Sequence, residues 1–179
     1  MIVLKHRFYF LFIFIFLLLE TNIFAKATLK QTVSGTHAND RFYRGITFNN
    51  DGTKMYVTGT AGNEINEYTL TTAFDVSTAS YRDRFALGID AMSVKFSSDG
   101  KKMFTLSSFG VKEFLLNTAF DITTTANGTT PETTYSVSSQ DGNPFGLDFN
   151  NDGTKMFITG NNTDFIYEYS LSSAFDLSN

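Results

Sequence analysis

Two apolar patterns divide this chain. Residues 8–19 form an unbroken apolar run of twelve. Beyond residue 28 the apolar positions fall into short runs, interleaved with polar residues and separated by Gly, Asn, Asp and Ser. No long stretch there places apolar residues at helical spacing, and the runs are rich in the β-branched and aromatic residues that strands prefer. The second pattern predicts strands. "ITF" leads to "MYV", "VKF" to "MFT" and "LDF" to "MFI", each time across an Asp-Gly pair. Asp-Gly between apolar runs signals a hairpin, because Gly accepts the positive φ that such turns need.

The pattern repeats. "GITFNNDGTKMYVTG" (45–59), "SVKFSSDGKKMFTLS" (93–107) and "GLDFNNDGTKMFITG" (146–160) align without gaps. Each is followed by a second matching piece: "INEYTLTTAFDV" (65–76), "VKEFLLNTAFDI" (111–122) and "IYEYSLSSAFDL" (166–177). A period of roughly 40–50 residues built from strands is the mark of propeller blades. The expected strands, a to d, are 45–49, 54–58, 65–70 and 81–87 in the first unit. They are 93–97, 102–106, 111–116 and 133–138 in the second, and 146–150, 155–159 and 166–171 in the third. The third unit lacks strand d, and residues 29–34 are a candidate outer strand to supply it, exchanged across the termini. The predicted fold is all-β: a β-propeller-like array of three four-stranded antiparallel blades, with units at about 42–87, 92–138 and 145–179.

"FNNDGTKMYVTG" and "FSSDGKKMF" resemble the YVTN-type repeats of bacterial β-propellers and, more loosely, the repeats of periplasmic TolB-like propellers. The resemblance covers nearly all of 29–179. It implies blades and leaves activity open, since propellers host many functions. Such propellers have about four to eight blades. Three units therefore imply a fragment of a longer propeller, an open arc, or a homodimer completing a six-bladed ring.

The first pattern reads differently. Lys5, His6 and Arg7 precede the apolar run, and Ala25-Lys26-Ala27 follows it. That is the layout of a secretory signal peptide over 1–27, with the repeat domain over 28–179. An uncleaved anchor is the rival reading, but twelve residues reach only about 18 Å of a roughly 30 Å hydrocarbon core. The expected location is secreted, periplasmic or cell-surface. Without the leader the chain keeps eleven basic and seventeen acidic residues, a net charge of −6, which argues against nucleic-acid binding. There is no Cys, so no disulfide is available in that compartment.

Residues that recur in every unit serve the unit; loop residues that differ between units are free to serve a ligand. Asp51-Gly52, Asp99-Gly100 and Asp152-Gly153 are read as turn residues. Phe74, Phe120 and Phe175 of the "AFD" motif are read as inter-blade plugs, each with an Asp bonding nearby amides. Glu67, Glu113 and Glu168 are expected in repeated hydrogen bonds or salt bridges. The d–a and b–c loops carry the candidate ligand-binding residues His37, Asn39, Asp40, Arg41, Arg44, Asp90, Asp141, Asn143, Phe145, Glu64 and Asp164. They suit a polar funnel for a protein or carbohydrate ligand.

No catalytic residue emerges. His37 is the single His beyond the leader, and no nucleophile-elbow pattern occurs. No cofactor is implied except a candidate Ca²⁺. "DFNNDG" (148–153) matches half of an EF-hand loop, but Thr159 stands at its twelfth position. The leading expectation is a non-enzymatic binding module. The alternatives are a calcium-dependent lactonase-like hydrolase, or a fragment whose function lies in other blades.

Overall fold

A computed structural model describes residues 29–30 and 42–178. The leader, candidate strand 29–34 beyond Lys30, and residues 31–41 lie outside the described residues, and Leu29 and Lys30 belong to no strand. The strands all belong to the compact unit that begins at Val33.

Among the described residues, eleven strands form three antiparallel meanders. The first blade is β1 (Tyr43–Phe48), β2 (Lys54–Gly59), β3 (Glu64–Leu70) and β4 (Ala79–Ala86). The second is β5 (Ser93–Phe96), β6 (Lys102–Ser107), β7 (Gly110–Leu115) and β8 (Thr133–Tyr135). The third is β9 (Pro144–Phe149), β10 (Lys155–Gly160) and β11 (Ile166–Ser170). Phe48 pairs with Met55, Phe96 with Met103 and Phe149 with Met156, so the three inner hairpins share one register. Blade 2's outer strand is shorter than expected. Pairing stops at Tyr135, and Val137 leaves the ladder to enter the core.

Sheet faces explain the burial pattern. Blade 2 is covered on both sides, and β6 is buried at every position after its first. β11 instead alternates exposed and half-buried along its length, because only one of its faces is covered. The core lies between blades. Tyr56, Ile65 and Phe85 of blade 1 pack on Val94, Met103, Phe114, Leu116 and Ile122 of blade 2. Phe104, Leu106, Val111 and Val137 of blade 2 pack on Leu147, Met156, Ile158, Phe175 and Leu177 of blade 3.

The Asp-Gly turns are longer than two-residue hairpins. In blade 1, Asp51 Oδ1 accepts from Thr53 N–H (2.9 Å) and its hydroxyl (2.6 Å), and Asn49 Oδ1 accepts from Lys54 N–H (2.8 Å). Blade 3 repeats the set with Asp152, Thr154, Asn150 and Lys155. Gly52, Gly100 and Gly153 sit at φ near +70°. A Cβ there would strike the ring of Phe74, Phe120 or Phe175 of the same blade. Each of those Phe residues is itself in the left-handed region, at φ 53–58°, and donates its N–H to the same glycine's carbonyl. The Phe of "AFD" thus clamps its own blade's turn, and Phe120 and Phe175 also pack at the junction with the preceding blade, Phe175 against the Phe104 ring. Its Asp behaves as expected: Asp75, Asp121 and Asp176 accept from the N–H groups of Ser77, Thr123 and Ser178.

Candidate functional site

The antiparallel register puts all b–c and d–a loops at one end of the blades and the Asp-Gly and "AFD" turns at the other. Tyr43 lies opposite Gly59, Ser93 opposite Leu106 and Pro144 opposite Gly160. The two ends have different chemistry.

At the loop end, two predicted residues from different blades meet. The Arg44 guanidinium, on β1, lies 5.3 Å from the centre of the Phe145 ring on β9, within cation–π range. Asp90 and Asp164 are exposed on their loops, and Asp164 takes a left-handed φ of 56°. Asp141 is buried and knits loops together. Its oxygens accept from the N–H groups of Asn143 (2.7 Å), Asn162 (3.2 Å) and Thr163 (3.1 Å), and from the Thr163 hydroxyl (2.8 Å). Burial pushes this carboxyl up, but the four donors outweigh it and hold it below its usual range. A Cβ at Gly160 would overlap the same carboxyl. Asn143 is half-buried, its carbonyl accepting from Asn161 N–H (3.0 Å). Glu64 is buried inside the sheet and paired with Arg84 at 2.9 Å. His37, Asn39, Asp40 and Arg41 lie outside the described residues. Sequence reasoning passed over the exposed aromatics of this end: Phe42, Phe109 and Phe165. The readable signal was a Phe in a turn where its repeat partner is polar, as Phe165 stands where blade 1 has Glu64.

Among the described residues, no three His, Cys, Asp or Glu side chains group as a metal site. The half EF-hand motif is otherwise engaged: Asp148 pairs with Lys95 (3.1 Å), and Asp152 with its own turn.

The opposite end carries the junctions between blades, built from a Lys on strand b and the repeated Glu on strand c. At the first junction, Glu67 has a fully buried side chain that holds Lys54 (2.9 Å) and Arg82 (2.7 Å). Its second oxygen accepts from Ile122 N–H of blade 2 (3.3 Å). Lys54 Nζ and the Tyr56 hydroxyl donate to the Phe120 carbonyl, at 2.7 and 2.5 Å. Arg82 also grips Asp121 (2.9 Å) and holds its carboxyl well below the usual range. The second junction repeats the core of this. Glu113 holds Lys102 (2.7 Å) and accepts from Leu177 N–H (3.0 Å), while Lys102 donates to the Phe175 carbonyl (2.7 Å).

No known family's sequence profile matches the chain, and no curated protein matches it. Solved structures do. The chain is similar to a provisionally assigned 6-phosphogluconolactonase from Bacteroides fragilis, at 17% identity and a TM-score of 0.51, over 72% of this chain and 34% of that one. It is also similar to another from Bacteroides uniformis, at 13% identity and a TM-score of 0.53, over 72% of this chain and 36% of that one. At such identities the likeness speaks for the fold, a propeller-like array of antiparallel sheets. The chain spans about a third of the length of the structures it matches.

Proposed function

We propose that this is a secreted or envelope-associated binding module that takes a protein partner on the end carrying the d–a and b–c loops. The observation that supports it is the Arg44–Phe145 contact at that end, together with Phe109 and Phe165 held in solvent on adjacent turns. Aromatic residues and Arg are the side chains that dominate protein interfaces. Asp141 contributes by fixing the loops, not by contact. The test is cross-linking of tagged protein in its own envelope fraction. Wild type should capture a partner that is lost from a Phe145→Ala, Phe165→Ala double variant of unchanged melting temperature. Equal capture by both would refute the reading.

The names of the neighbouring structures favour, weakly, the lactonase part of a second reading, a calcium-dependent lactonase-like hydrolase. It requires a melting temperature that rises with Ca²⁺ and falls with EDTA, and lactone hydrolysis that follows the same dependence.

A further inference from the structure

The two junctions within the chain are one device used twice, and the third copy of it faces solvent. Lys155 and Glu168 occupy the repeat positions of Lys54–Glu67 and Lys102–Glu113, and they already pair at 2.6 Å. Glu168 is 49% exposed, whereas the Glu113 side chain is 5% exposed. Beside them Phe157 is half-buried and Ile166 is 75% exposed, where the equivalent Phe104 and Val111 are fully buried.

The complementary half lies on blade 1. At each internal junction three rings cluster: Tyr56, Phe96 and Phe120 at the first, Phe104, Phe149 and Phe175 at the second. In each, the first ring comes from the preceding blade. On blade 1, Phe48 and Phe74 form the same pair at 5.4 Å, with Phe74 59% exposed. The Phe74 carbonyl and Val76 N–H are the counterparts of the groups that Lys102 and Glu113 grip on blade 3.

We infer that Lys155, Phe157 and Glu168 form a docking socket for the Phe74–Asp75–Val76 turn of a second copy of this chain. The socket and the turn sit on opposite outer blades, so the contact is head-to-tail. Two copies joined twice make six blades, a ring size within the range that propellers adopt. The socket lies at the blade junctions and is independent of the loop-end reading above.

The test uses protein expressed from the full 179-residue sequence, with its mass followed by light scattering against concentration. Two variants disable opposite halves. Glu168→Lys removes the acceptor and sets two cations side by side. Val76→Pro removes the N–H at the first position of a 3₁₀ turn where Pro is well tolerated. Val76→Ala, which keeps the N–H and should associate like wild type, controls for the side chain that packs against Met55, Tyr68 and Leu70. Wild type should show twice the chain mass at high concentration, and each disabling variant should weaken association about tenfold or more. Mixing the two variants should restore dimers, because one chain keeps an intact socket and the other an intact turn. A wild type that stays monomeric overturns the inference and leaves the socket to a blade of another protein. An assembly indifferent to both substitutions, or a mixture no better than either variant alone, overturns it as well.

Discussion

Glu113 and Glu168 are the same residue in the same register with the same lysine partner, yet one is buried and the other half in solvent. Two things differ. Glu113 lies opposite Thr133 of the outer strand β8, whereas β11 pairs only with β10 among the described residues. The "AFD" turn of a following blade supplies Leu177 N–H and the Phe175 carbonyl to the first pair and supplies nothing to the second among the described residues. A repeat equips every blade for a junction; the neighbour decides whether that equipment is core or surface. The ionic pair is therefore expected to be energetically important at Glu67 and Glu113, and minor at Glu168.

The largest break in this comparison is Glu67→Ala. It leaves Lys54, part of Arg82 and Ile122 N–H without their acceptor in a buried site, a loss of about 3–5 kcal/mol. In a melting experiment that is a fall of about 10 °C. Glu168→Ala, measured at a dilution where the chain is monomeric, should cost about 1 kcal/mol or less, as exposed pairs do. Equal falls would erase the distinction between the two.

Next comes the clamp within each blade. Gly100→Ala places a Cβ into the Phe120 ring at a φ of 70°, while Gly88→Ala has the same φ and open space around it. The first should lose about 2 kcal/mol or more and the second about 1 kcal/mol, read by denaturant titration. Similar losses would show that backbone strain alone, not the ring, demands glycine.

A smaller effect is acid sensitivity. Arg82, with added hydrogen bonds from Thr123, depresses the Asp121 carboxyl, and hydrogen bonds from Thr53, Ser97 and Thr154 depress Asp51, Asp99 and Asp152. A carboxyl depressed in the folded state binds fewer protons there than when unfolded. Its contribution is complete above the unfolded value of about 3.9 and is lost as pH falls toward the folded value. The melting temperature should hold above about pH 5 and drop below about pH 4. Arg82→Gln should flatten that drop, and an unchanged profile would remove Asp121 from it.

Much of the architecture was legible. Strands a, b and c fall within two residues of where the apolar runs and Asp-Gly pairs put them, because turn chemistry and period-two patterning act locally. The clasp between Gly100 and Phe120 was not legible as a contact. Both residues recur in every unit, but only the fold shows that the ring fills the space a Cβ would take. The lysines at 54, 102 and 155 also recur beside the repeated Glu, and their pairing across strands b and c depends on register. Glu64 read as a loop acid because Arg84, its partner on β4, is twenty positions away. Asp141 read as a funnel lip because two of the three amides that bind its carboxylate, those of Asn162 and Thr163, belong to a different loop.

The most direct measurement is amide hydrogen exchange at Ile122, Leu177 and Val76, the three equivalent positions that follow "AFD". The junction account predicts strong protection at Ile122 and Leu177, whose N–H groups enter carboxylates of the preceding blade. It predicts fast exchange at Val76 in dilute protein, slowing as concentration rises and a second copy docks. Equal protection at all three in the dilute monomer, or fast exchange at all three, would contradict it.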